Sequence, residues 1–229
     1  MKRLYYIIFI ILIVLIFYCF FKSVIFYIDN KKIEVSFKET NSVSESFSNS
    51  DVILTYRNKY NNDDIIGILV IDGLNINELV VKGVDNSYYL NHLVDGRVSV
   101  LGSLFMDYRN DFSSKQINIY GHNSRYYDVV FKRLEKYLDK DFYKDNRYIS
   151  LISVDGVFTY EIFSINVTNS ENHLDFSSSF SDRVKYLKNN SLYDTGVDVS
   201  YDDYLLVLQT CIYNRDGDLL VISAKRVNF

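Results

Sequence analysis

The sequence predicts a mostly-β domain with helical insertions, closed into a barrel and preceded by an N-terminal transmembrane helix. Three observations predict it. Short β-branched runs recur from Ile65 to Val227, with Asp-Gly pairs between several of them. Helical spacing is confined to a few short segments. The first 21 residues contain one charge-free apolar run.

That run, Leu4 to Phe21, has eighteen residues and as a helix would be roughly 27 Å long, close to a hydrocarbon core. Lys2 and Arg3 precede it and favour a cytoplasmic N-terminus, while Lys22, Lys31 and Lys32 weaken that bias. Tyr5, Tyr6, Tyr18 and Tyr27 lie near its two edges, where interfacial aromatics gather. The run is longer than a usual signal-peptide core, and no small-x-small cleavage site follows it. An uncleaved anchor at the cell membrane is expected, with the body outside. The expected division is a cytoplasmic tip (1–3), an anchor (4–28), a stalk with a possible short helix (29–60) and a folded body (61–229).

The stalk assignment rests on the polar stretch from Asp29 to Ser50, and Asp51–Tyr60 reads as a short helix. Ile65–Ile71 and Ile76–Val81 read as strands joined at Asp72–Gly73. Val98–Met106 and Gln116–Tyr120 are further short apolar runs. Between Tyr126 and Leu138, residues Val130, Leu134, Tyr137 and Leu138 share one helical face. Tyr148–Val154 and Val157–Val167 flank Asp155–Gly156, a hairpin signal. Phe180–Lys188 reads as a helix, and Leu205–Thr210 with Leu219–Val227 as a closing strand pair. Many short strands with few helices point to a barrel.

Composition narrows the function classes. The chain has 229 residues and a net charge of -4, with no dominant basic stretch, so nucleic acid is not an expected partner. No Cys-x-x-Cys or His-x-x-x-His spacing occurs, and no metal or other cofactor is expected. Asn61–Asn62–Asp63–Asp64 lacks the spaced ligands of a calcium loop. Neither a Gly-x-Ser-x-Gly elbow nor a glycine-rich phosphate loop is present.

Two residues stand out chemically. Of the two cysteines, Cys19 lies in the apolar run, which leaves Cys211 alone in the body, at the end of Leu205–Leu206–Val207–Leu208–Gln209–Thr210–Cys211. His122 follows Ile117–Asn118–Ile119–Tyr120–Gly121, where a strand ends and a glycine permits a sharp turn. A free thiol has a pKa of about 8.5 and becomes a nucleophile near neutral pH beside a base or cation. Cys211 and His122 form such a pair if their strands are neighbours. The alternative is a small core cysteine and a turn histidine.

Leu208–Gln209–Thr210–Cys211 resembles the sortase signature Thr-Leu-x-Thr-Cys, with Val207 in place of the first threonine. Tyr120–Gly121–His122–Asn123 is similar to the sortase histidine segment. Gly102–Ser103–Leu104–Phe105–Met106–Asp107–Tyr108–Arg109–Asn110, Asp85–Asn86–Ser87–Tyr88–Tyr89–Leu90 and the segment Val129–Leu138 resemble stretches of class B members. The match runs in order from about Asp63 to the C-terminus.

The resemblance implies a sortase-type closed β-barrel and cysteine transpeptidation. A secreted protein bearing a C-terminal sorting signal would be cleaved, held as a thioester and passed to an amine of a peptidoglycan precursor. It implies Cys211 as nucleophile and His122 as acid and base, with the Ile212 N–H helping to hold the oxyanion. Asn86, Leu90, Tyr120, Leu174 and Thr210 fall at peptide-groove positions, with His173 and Gln209 beside them. One departure is Leu219, where the family carries an arginine before the last strand. Arg215, four residues earlier, is the candidate replacement, since a guanidinium can donate from another backbone position. Arg226 lies too far along the strand. The alternative function is a weak or inactive sortase-like ectodomain that binds peptides.

Overall fold

The computed structural model describes residues 9, 12–18, 20–22, 49–169, 178–213 and 218–227. Two compact units are present, Met1–Phe47 and Ser48–Phe229. In the first, residues 12–18 and 20–22 are helical with exposed apolar side chains. Among the described residues no helix is long and apolar enough to cross a membrane. Most of the stalk stretch and the flanks of the expected anchor lie outside the described residues.

The second unit begins with helix α1 (Asn49–Tyr60), which packs on the barrel through Ile53 and Tyr56. The strands are β1 (Ile65–Ile71), β2 (Ile76–Val81), β3 (Leu104–Met106), β4 (Gln116–Tyr120), β5 (Tyr148–Ser153), β6 (Gly156–Asn169), β7 (Leu205–Cys211) and β8 (Asp218–Val227). They close in the order β1-β2-β3-β4-β7-β8-β6-β5, and β5 returns to β1. Closure removes the exposed edges that short strands would otherwise offer. β2–β3 and β4–β7 are parallel pairs, and the others are antiparallel. Helix α2 (Lys140–Asp145) lies between β4 and β5, and helix α3 (Phe180–Asn189) between β6 and β7. Asp139 caps α2 and Ser179 caps α3, each accepting from a backbone N–H two or three residues on.

Alternation sorts each strand between two apolar layers. Leu206 and Leu208 of β7, with Ile117 and Ile119 of β4, fill the interior. Leu205 and Val207 point outward under Val184 and Leu187 of α3. The outward row of β7 therefore continues through Gln209 to Cys211.

Three local expectations change. The run at Val98–Met106 is a strand only over Leu104–Met106. Val98 and Val100 are exposed, and Val98 makes one isolated bridge to His92. The helical segment before α2 is a 3-10 helix, Val130–Leu138, and it buries Phe131, Leu134 and Tyr137. Three residues per turn stacks every third side chain, so this row replaces the expected α-helical face. Gly121 is needed for space rather than for a turn: a Cβ there would meet Leu104 Cδ2 at 2.4 Å and Phe131 Cδ2 at 2.7 Å.

Candidate active site

The parallel register of β4 and β7 pairs Tyr120 with Gln209. His122 and Cys211 each lie two residues beyond that pair, on segments that stay bonded to one another. Gly121 N–H donates to Gln209 O at 3.3 Å, and the Thr210 hydroxyl donates to Gly121 O at 2.7 Å. Cys211 is a free, exposed thiol. The barrel thus brings both residues to the same rim although 89 positions separate them in the chain.

His122 is held through one ring nitrogen. Its Nε2 lies 2.7 Å from the Leu90 carbonyl, at the end of the 3-10 turn Tyr88–Leu90. A carbonyl only accepts, so Nε2 carries the hydrogen and Nδ1 is left out of this bond. Gly102 makes this seat possible. Its φ is +58°, and a Cβ there would fall 2.6 Å from Tyr89 O, 2.7 Å from Leu90 O and 3.0 Å from His122 Cδ2.

Beside the rim a buried carboxylate gathers five donor groups from three residues. Asp107 accepts from Asn86 Nδ2 at 2.8 Å and from the Tyr120 hydroxyl at 2.9 Å. Arg109 donates to it through Nε at 2.8 Å and Nη2 at 2.7 Å, and its own N–H adds a bond at 2.9 Å. Burial alone would raise this carboxyl. The bonds from Arg109, Asn86 and Tyr120 outweigh burial and hold it at about 2. Burial, and then the Asp107 charge, push the Tyr120 phenol up. Asn86 Oδ1 accepts from Tyr108 N–H, so its amide orientation is set at both ends.

The expected site residues fare differently. Asn86 and Tyr120 meet at Asp107, and Leu90 meets His122 through its carbonyl. Thr210 is buried with its hydroxyl committed to Gly121. Leu174 and His173 lie outside the described residues, as does Arg215. Leu219 pairs directly with Cys211 across β7 and β8, so the departure from the family pattern sits next to the thiol. Arg226 is at the other end of β8, 4.0 Å from the Phe158 ring. The Ile212 N–H donates to Asp218 O at 3.0 Å, closing the β7–β8 ladder, and is not free for an oxyanion. Among the described residues no group of three His, Cys, Asp or Glu is placed to hold a metal.

Asp107, Gly102 and Asn123 were not singled out by sequence. Asp107 and Gly102 sit inside the stretch Gly102–Asn110, and Asn123 follows His122. Their partners lie elsewhere in the chain, so nothing local marked them.

No family model matches the chain. Sortase B of Listeria monocytogenes is 34% identical over 175 residues, covering 72% of this chain and 71% of the relative. Sortase B of Staphylococcus aureus is 30% identical over 174 residues, covering 72% and 70%. Among solved structures, Clostridium perfringens sortase B superposes with a TM-score of 0.69 at 29% identity, covering 76% of this chain and 98% of that one. A Staphylococcus aureus sortase B–substrate complex gives a TM-score of 0.74 at 25% identity, covering 86% and 94%. Sequence kinship on this scale, on top of a shared barrel, decides the assignment: the chain belongs to the class B sortases, a family of cysteine transpeptidases.

Proposed function

We propose that the chain cleaves a sorting motif near the C-terminus of secreted proteins and joins them to a cell-wall amine, with Cys211 as nucleophile and His122 as acid and base. The observation that carries this reading is the parallel β4–β7 register, which sets both residues two positions beyond the same pair. The Cys211 thiolate attacks the scissile carbonyl. As the C–N bond breaks, the His122 imidazolium gives its proton to the departing amine, leaving a thioester. An incoming peptidoglycan-precursor amine then attacks the thioester, loses a proton to His122 and releases the thiolate. Asn86, Leu90, Tyr120, Leu174 and Thr210 form the peptide side of the groove. Asn86 and Tyr120 keep fixed orientations through Asp107, and Thr210 acts by holding Gly121. Arg215 supplies the cation that Leu219 does not.

The experiment is cleavage of a quenched sorting-signal peptide by the full chain. Cys211→Ala is expected to lower turnover at least ~10³-fold. Equal turnover by wild type and variant would refute the nucleophile.

A second reading is favoured by Leu219 beside Cys211: a weak or inactive relative that binds peptides. Wild type that binds a sorting peptide without turning it over supports this reading. Turnover that Arg215→Ala abolishes opposes it.

We also propose a single-pass membrane location, with the N-terminus cytoplasmic and the barrel outside. The exposed apolar helical residues 12–18 and the preceding Lys2 and Arg3 support it. Extraction of the chain from membranes by alkaline carbonate would count against it.

A further inference from the structure

Backbone pairing between β4 and β7 stops at Gly121, yet the two segments remain joined by side chains. Asn123 is the centre of this joint. Its Nδ2 donates to Cys211 O at 2.9 Å and to Glu135 Oε1 at 2.6 Å. Its Oδ1 accepts from Ser124 N–H at 2.7 Å, and its carbonyl accepts from the Tyr213 hydroxyl at 2.9 Å. Arg125 extends the joint, with its guanidinium over the Tyr213 ring and bonded to Tyr213 O. Asn123 itself is 3% exposed.

The chemistry of this position is specific. One planar amide must present two N–H groups, one to a backbone carbonyl and one to a carboxylate. Aspartate has neither donor and would set a second negative charge against Glu135. Alanine would leave Cys211 O and the half-buried Glu135 without the bond. The residue held on one side is the proposed nucleophile, and the residue preceding Asn123 is the proposed base.

We infer that Asn123 is a positioning residue, clamped by Glu135, that sets the register between Cys211 and His122. This inference rests on the reading of those two residues as the reacting pair. A misplacement of about 1 Å in such a pair can cost ~10²-fold in rate, and beyond Gly121 these side-chain bonds tie the two segments together.

The test is the pH profile of Cys211 alkylation by iodoacetamide, in the full chain with Cys19→Ser. Asn123→Ala should lower the rate at pH 7 by roughly fivefold or more relative to the rate at pH 9, because thiolate formation near neutrality needs the imidazole nearby. Glu135→Leu should do the same. Glu135→Gln keeps an acceptor oxygen and should restore the wild-type profile. If Asn123→Ala does not fold, Tyr213→Phe, which removes only the hydroxyl of an exposed residue, and Glu135→Leu carry the test. Wild-type profiles in both would overturn the inference, as would a wild-type profile for folded Asn123→Ala. His122→Ala separates the two levels. A profile that responds to His122→Ala but not to Asn123→Ala sinks the clamp alone, and one that responds to neither sinks the reacting pair with it.

Discussion

Two carboxylates, buried Asp107 and half-buried Glu78, show how differently this barrel treats two of its acids. Asp107, beside the Cys211–His122 rim, accepts from Arg109, Asn86 and Tyr120 and is held at about 2. Glu78 lies on β2 between the interior residues Ile76 and Val80 and pairs with interior Leu69. Burial raises it to about 7, and the Arg133 charge only partly offsets this. Burial has the same sign at both places, so the number of donors decides the outcome. The rim is a satisfied polar network that fixes side-chain directions, whereas β2 carries a half-buried acid that is poorly compensated.

The largest break in this contrast is Asp107→Ala. It removes the shared acceptor of Arg109, Asn86 and Tyr120. We expect a loss of about 3 kcal/mol in unfolding free energy, read by denaturant melts, together with a raised KM for sorting peptide. A loss below about 1 kcal/mol would mean that the network contributes little beyond ordinary surface bonds.

Gly102→Ala attacks the rim through its backbone. A side chain at φ +58° is strained, and its Cβ would press on Leu90 O and His122. About 1–2 kcal/mol of destabilisation is expected, with a fall in kcat as the imidazole moves. Wild-type kcat in a folded variant would show that the ring tolerates displacement.

The smallest effect sharpens the other side. Glu78 binds its proton more tightly folded than unfolded, so stability falls as pH rises from about 4.5 to about 7. Asp107 has the opposite sign: its contribution is present above 3.8 and is lost as pH falls toward about 2. Glu78→Gln should therefore raise Tm at pH 8 by a few degrees and change it little at pH 4. An equal change at both pH values would show that Glu78 does not titrate against folding.

Much of the architecture was legible locally. The β-branched runs and the Asp-Gly pairs mark β1, β2, β5 and β6, and apolar runs ending at Tyr120 and Cys211 mark β4 and β7. The 3-10 form of Val130–Leu138 was not legible, because rows of three and rows of three-and-four overlap in so short a segment. The commitment of Ile212 N–H to Asp218 O was hidden for another reason: the ladder partner lies on the next strand.

By itself the sequence determined which segments extend, where each turns, and that one thiol and one imidazole stand at strand ends. Those features follow from side-chain periodicity and backbone preference over a few residues. Tertiary structure alone decided that β4 and β7 run side by side in parallel, that Leu90 O holds His122, and that Asn123 ties Cys211 to Glu135. Those contacts join residues from 12 to 89 positions apart, and only barrel closure selects among the many partners each could have met.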